Sequence, residues 1–458
     1  MKKVIKTLNL FVLLILIAAT IGCDSNNESE ADQILRAVLA DIGPFQPIQL
    51  DTKTLASSVQ DGESIQLPFV KKENILTRAD VQLTLRNLRN ADLTEAYIKD
   101  EDDQSFEIVP LEEPATYQGM VVDKPGVAVF TINDQVIEGN ILMDPEGWSI
   151  IEPIDPLLRQ HGVNEADRQV VLKKYNHIAY NVRDRLDTNF NTDADILGGL
   201  ESPLTTTEAG DEQLVMSAVA DGDSDFYRLY PPDSVMPFWL KEEALLNVID
   251  WQFNCIEPEQ NEHNSYALCD NDFDGGSNGF QARVRIDRLE VWKAGGPKST
   301  EREALLRDSI RMTHQSDPPC CGEPHTAGRS DLVYFFSGRN LEGGTGVAAS
   351  VGGLSIYDGC FEEGLPICHH ALSQFVPNEE FPATVYFQEI LVAHEIGHVV
   401  GGEEQINPFP NCWLFDEQCG TNLMGSIGFN TQDVVYLFTE EDAQGVMGPL
   451  MQERLSAE

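Results

Sequence analysis

The sequence predicts an α/β (α+β) protein in two parts: a β-rich N-terminal domain, then a larger domain built on a mixed, twisted sheet. Three observations carry this. Between Val81 and Pro153, several runs alternate apolar and polar residues with a period of two, as half-buried strands do. From Gln213 onward, strand-like runs alternate with segments of helical spacing, the pattern of an α/β sheet. Phe387 to Val400 is a proline-free apolar run that reads as a helix and carries His394-Glu395-x-x-His398.

Taken in order, residues 1–22 read as a targeting segment. Lys2, Lys3 and Lys6 precede a short apolar core from Leu8 to Ile21, too short for a membrane span. Small residues before Cys23 resemble a bacterial lipoprotein cleavage site, so Cys23 is the expected lipidation point and 23–32 the tether. An ordinary signal peptide or a single anchor helix is the alternative. The expected location is the cell envelope, as a membrane-anchored lipoprotein facing the periplasm or the surface, or else secretion.

Residues 33–155 form the β-rich domain, with a helix expected over Ala31 to Asp41 and strands at Val81–Leu88, Gly126–Ile132 and Gln135–Leu142. Residues 156–212 read as a connector: a helix from Glu165 to Leu186, then an exposed linker rich in Thr, Asp, Asn and Gly. Residues 213–458 form the second domain. Leu214–Ala220 is a buried strand closed by Asp221-Gly222-Asp223. Phe238–Phe253 is a helix, Phe280–Trp292 a long strand, and a helix starts at Ser299 with Thr300 and Glu303 to cap it. Leu332–Ser337 is a fully apolar strand, and Gly346–Gly353 a glycine-punctuated one suited to a sheet edge. A closing helix is expected over Thr439–Leu455.

Charge excludes one class of partner. Acidic residues outnumber basic ones 75 to 31, a formal charge of −44, which repels nucleic acid and anionic headgroups. With Cys23 set aside, eight of the nine cysteines remain, all in the C-terminal half. In an exported chain an even number suggests disulfides. Cys255–Cys269, Cys360–Cys368 and Cys412–Cys419 are reasonable local pairs, with Cys320 and Cys321 either vicinal or cross-paired.

The chemistry concentrates at His394 and His398. At i and i+4 of a helix, both imidazoles project from one face and can reach one metal ion. Glu395, one position round, can hold an attacking water. Gly401 stands where a chain leaves a helix through positive φ. No histidine follows His398, so a third ligand downstream must be a carboxylate or a cysteine. Glu404, three residues past Gly401, is the candidate; Glu403 and Asp416 are possible substitutes. Two histidines and a glutamate make a catalytic zinc shell with a position left for water. The plain alternative is a buried helix that happens to carry two histidines.

Met424, in Asn422-Leu423-Met424-Gly425, could floor such a site with a soft sulfur. Asp270-x-Asp272-x-Asp274-Gly275 has the look of a calcium loop, but its twelfth position is Gln281 rather than the bidentate glutamate of an EF-hand. Ca²⁺ on Asp270, Asp272 and Asp274 is therefore weighed against a solvated acidic turn. His369-His370 reads as surface decoration.

Together these stretches resemble the metzincin zinc peptidases, and within them the reprolysin or adamalysin-like group. Asp331 to Ala348 is similar to that group's strand, loop and edge strand. His394 to Glu404 matches its zinc helix, and Met424 its Met turn. Gly119–Pro153 is similar to the end of its propeptide. The resemblance covers Gln213 to Glu458. It implies a metzincin-like catalytic domain behind a prodomain-like one, Zn²⁺ on His394, His398 and Glu404, and Glu395 as general base. The family carries His or Asp where this chain has Glu404, and the N-terminal domain has no cysteine to plug a zinc.

The expected function is zinc endopeptidase activity. Protein or peptide substrates would lie extended along Gly346, Val347, Ala348 and Ala349 by strand addition. The chain is read as a monomer with a lipid anchor and no nucleic-acid partner. Two other readings stand beside it: a non-enzymatic calcium-binding or adhesive lipoprotein on a degenerate scaffold, and a peptidase whose glutamate ligand comes from a later helix.

Overall fold

A computed structural model describes residues 29–89, 94–100, 106–122, 124, 126–143, 147–182, 214–230, 237–253, 282–315, 330–342, 346–348, 369–377 and 384–401, with short pieces at 256–257, 361–362, 365–366, 438–439 and 456–457. It is a mixed α/β structure.

The N-terminal half opens with α1 (Glu30–Val38). Ser29 and Asp32 form a capping box there, each side chain accepting from the other's backbone N–H. Next come β1 (Gln46–Ile48), α2 (Thr52–Gln60), β2 (Ile65–Lys71), β3 (Ile75–Leu85), β4 (Glu95–Lys99) and β5 (Phe106–Val109). Then follow β6 (Thr116–Val121), β7 (Gly126–Ile132), β8 (Ile137–Met143), β9 (Gly147–Pro153), α3 (Ile154–Gln160), α4 (Glu165–Leu172) and β10 (His177–Asn181). Eight of these strands form one antiparallel sheet in the order β1-β10-β9-β8-β7-β6-β3-β2.

That sheet curls until its far members meet. The Val70 N–H in β2 donates to Ser149 Oγ in β9 at 3.0 Å, and Asn181 Nδ2 in β10 donates to Val70 O at 2.8 Å. Its concave face is filled by Leu67, Phe69, Val81, Phe130, Ile141 and Ile151, with Ala56 and Val59 of α2 packed in. One expectation fails here. The helix expected from Glu165 to Leu186 stops at Leu172, and His177–Asn181 is a strand. His177-Ile-Ala-Tyr-Asn alternates sides of a sheet, and all five residues find partners on both faces. Pairing with β1 and β9 outweighs a helical continuation. The expected linker beyond it lies outside the described residues.

The C-terminal half contains β11 (Leu214–Gly222), α5 (Ser224–Leu229), α6 (Phe238–Phe253), β12 (Ile256–Glu257), β13 (Ala282–Trp292), α7 (Arg302–Gln315) and β14 (Leu332–Ser337). After them come β15 (Gly346–Ala348), β16 (Phe361–Glu362), β17 (Leu365–Pro366), β18 (His370–Gln374), α8 (Val385–Val399), β19 (Phe438–Thr439) and β20 (Ser456–Ala457). The main sheet runs β15-β18-β14-β11-β13-β4-β5, with β20 paired to β11. β18, β14, β11, β13 and β4 are parallel neighbours, and β15 and β5 are antiparallel edges, so the sheet is mixed. Two of its strands, β4 and β5, come from the N-terminal half.

α6 and α8 lie between the two sheets, and α7 covers the other face of the second sheet. The continuous apolar run of β14 follows from this layering. Leu332, Tyr334 and Phe336 face α6 and α8, while Phe335 faces Leu305, Leu306 and Ile310 of α7. The start of α7 differs from expectation. The cap is Glu301, whose carboxylate accepts from the N–H groups of Glu303 and Ala304, rather than Thr300. Asp221 and Gly222, expected to close β11, are instead its last two residues, and Asp223 caps α5 by accepting from Asp225 N and Phe226 N.

Candidate functional site

α8 is apolar or buried all round its circumference. Every residue from Val385 to Val399 is buried, because sheets lie on both sides of it and α6 alongside. Its own N-cap, Thr384, makes no capping side-chain bond. The Val385 N–H donates instead to Glu152 Oε2 of β9 at 3.2 Å. A carboxylate from the other sheet thus sits at the positive end of the helix dipole. Four residues on, Glu389 Oε2 accepts from Asn140 Nδ2 of β8 at 2.9 Å. Lys241 of α6 donates to Glu138 Oε1 of β8 at 2.6 Å, in the same buried layer.

Burial pushes the Glu152 carboxyl up to about 7 and the Glu389 carboxyl up to about 8. The Lys241 ammonium opposes both shifts, and the Glu138 carboxylate adds to them. A single lysine cannot neutralise three carboxylates held out of water.

One turn further along α8, the two imidazoles converge. His394 Nε2 and His398 Nε2 are 3.1 Å apart, with ring centroids 4.6 Å apart and planes at 84°. Both residues are completely buried. Two nitrogens bound to one tetrahedral zinc at about 2.0–2.1 Å each would lie about 3.3 Å apart, so this pair fits two adjacent ligand positions. The helix then ends as the sequence suggests: Val400 N–H donates to Ile396 O, Gly401 N–H to His398 O, and Gly401 takes φ +103°.

Glu395 faces the edge of the main sheet. A Cβ placed on Gly346 would come within 2.5 Å of Glu395 Oε1 and 2.9 Å of Leu391 Cδ1, so any side chain there would have to displace that carboxylate. The Gly346 carbonyl accepts from Arg302 Nη1 of α7 at 3.1 Å, which fixes the strand over the helix. Gly346 and Val347 register against Ser373 and Leu372 of β18. Behind them the Tyr334 and Ser373 hydroxyls share a hydrogen bond. Burial pushes the Tyr334 hydroxyl well above the usual tyrosine range, and the Glu395 carboxylate adds to that push.

Gly346, Val347 and Ala348 form the edge strand β15, and Ala349 lies just past the described residues. Cys23, Asp270, Asp272, Asp274, Glu404, Glu403, Asp416, Met424 and the eight further cysteines also lie outside them, as does the helix expected after Thr439. Among the described residues, no group of three or more His, Cys, Asp or Glu is arranged to hold a metal ion. His369 and His370 are not on the surface. Each is 1% exposed, with ring centroids 4.5 Å apart, because β18 lies inside the sheet between β14 and β15.

Sequence pattern alone does not single out Glu152 and Asn140. The available signal was polarity in the wrong place: a carboxylate inside Trp148-Ser-Ile-Ile-Glu-Pro153, and an amide inside Ile137–Met143.

No family model and no curated protein matches this chain. Among solved structures, one that it is similar to is metalloproteinase-II from Bacteroides fragilis, at 11% identity and a TM-score of 0.45, covering 86% of this chain and 94% of that one. Another is the structure of a chaperone–substrate complex, at 13% identity and a TM-score of 0.30, covering 53% of this chain and 34% of that one. Neither likeness is close enough to assign a family or an activity.

Proposed function

We propose that this chain is a zinc-dependent endopeptidase of the metzincin type, reprolysin-like in its C-terminal half. The observation that carries the reading is the meeting of two buried imidazole Nε2 atoms, 3.1 Å apart on successive turns of α8, beside a carboxylate at a sheet edge. His394 and His398 would hold the ion, and Glu404 is the third ligand we propose. A zinc ion there would polarise a scissile carbonyl and acidify water.

The chain's own residues supply the rest. The β15 edge would take an extended peptide by main-chain hydrogen bonds. Arg302 keeps the Gly346 carbonyl in place, which holds that edge in register above α8. Glu395 would accept a proton from the attacking water and pass it to the leaving amine. It is buried beside Gly346, so a peptide backbone lying along that edge would be close to it. Met424 would floor the site. Substrates would be protein or peptide, and the protein would be exported and tethered through Cys23.

Zinc titration and proteolysis test this together. Wild type should bind one zinc per chain and cleave a generic unfolded protein until a chelator is added. Glu395→Gln should keep the zinc and lose the cleavage, and Glu404→Ala should lose tight stoichiometric binding. Undiminished cleavage by Glu395→Gln, or a protein that takes calcium and no zinc, rejects the proposal.

A further inference from the structure

The resemblance makes the N-terminal half prodomain-like, and leaves open whether it is removed. The seam between the halves bears on that question. β4 is a strand of the C-terminal sheet, parallel to β13 from Glu95↔Arg288 to Lys99↔Trp292. Backbone bonds extend the join on both sides: Ile286 N–H donates to Leu88 O at 2.7 Å, and Lys293 N–H to Lys99 O at 2.8 Å.

Buried ion pairs cross the seam in both directions. Arg86 grips Asp250, Arg89 grips Glu243, and Lys99 is held between Asp221 and Glu290. Lys241 of the C-terminal half reaches back to Glu138. The apolar core is shared as well. Val129, Trp148, Ile150 and Tyr180 belong to one cluster with Trp251, Tyr386 and Val392. Trp148 meets Trp251 and Tyr386 edge-on, at centroid distances of 6.4 and 5.7 Å.

We infer that the N-terminal half is a permanent part of the folded unit and stays bound to the C-terminal half after the chain between them is cut. Separation would open an edge along β13, take the opposing carboxylates from three cationic side chains in one half and one in the other, and strip one face of α6 and α8. It would also take Glu152 away from the N-terminus of α8. None of this depends on whether the histidine pair takes a metal.

The test uses the full chain with a recognition site for a sequence-specific protease inserted between Asn191 and Thr192. After complete cutting, the two fragments should co-elute from a sizing column at the volume of the uncut chain and unfold in one transition. Fragments that separate without denaturant overturn the inference. Native-state hydrogen exchange on the unmodified chain reads the same property if the inserted site disturbs folding. Amides of β4 and β7–β9 should exchange in the same global step as those of β11, β13 and α8. An earlier, independent opening of the N-terminal set overturns it equally.

Discussion

Asp250 is the residue on which the seam can be weighed. It is fully buried on α6 and accepts from Arg86 Nε at 2.6 Å, Arg86 Nη2 at 3.1 Å, Gln118 Nε2 at 3.0 Å and the Val284 N–H at 2.8 Å. Arg86 and Gln118 come from the N-terminal half and Val284 from β13, so one carboxylate joins three elements. Asp250→Ala takes the carboxylate from the Arg86 guanidinium and the acceptor from the Val284 N–H, while Gln118 keeps Asn247 Oδ1 at 3.0 Å. Removing one partner of a buried ion pair costs about 3–5 kcal/mol. The Arg86 side chain is 25% exposed, so water recovers part of its loss, leaving about 2 kcal/mol. The Val284 N–H, left in the sheet without its acceptor, adds about 2 kcal/mol.

The total is about 4 kcal/mol. For 458 residues unfolding as one unit, with about 2.1 cal/mol/K of unfolding entropy per residue, that lowers Tm by about 4 °C. Asp250→Asn, which keeps the volume and loses the charge, should fall between. Arg228→Ala is the control: its side chain is 65% exposed in its pair with Asp225, and it should cost under about 1 kcal/mol. Differential scanning calorimetry and urea melts measure all three. An Asp250→Ala protein within about 1 kcal/mol of wild type would refute the claim that buried charge ties the halves together.

Two further outcomes follow from α8 and its neighbours. Gly346→Ala should displace the Glu395 carboxylate, because its methyl would sit within 2.5 Å of Oε1. Peptide cleavage should fall at least tenfold with zinc stoichiometry unchanged, and unimpaired turnover would place Glu395 elsewhere in the reaction. The Glu152 and Glu389 carboxyls set a pH dependence. Their folded values stand at about 7 and about 8 against 4.5, so their contribution is whole below pH 4.5 and is lost as pH rises through about 7 and about 8. Glu152 alone accounts for about 3 kcal/mol over that window. Urea melts from pH 5 to pH 9 should show Glu389→Gln with a flatter decline than wild type, and parallel curves would remove Glu389 from the explanation.

Local geometry made much of this readable in advance. Phe238–Phe253 and Leu332–Ser337 occupy the bounds their apolar spacing indicates, since a helix face or a two-sided strand is written in consecutive residues. The convergence of His394 and His398 needs only the pitch of a helix, and the exit at Gly401 only the missing Cβ. His177–Asn181 reads as helix in isolation because its strand is decided by β1 and β9, whose partner residues lie up to about 130 positions away. His369 and His370 read as surface residues because their burial comes from the strands on either side of β18, which lie elsewhere in the sequence.

What the sequence by itself determined is the chemistry within one or two helical turns, two imidazoles, a carboxylate between them and a glycine exit, together with a formal charge of −44. What only the tertiary structure decided is who supports that chemistry. Glu152 caps α8, Asn140 holds Glu389, and β4 completes a sheet whose other central strands come from residues beyond 213. Each of these joins residues more than a hundred positions apart. No local periodicity encodes such a meeting; the demand that every buried charge and backbone edge find a partner does.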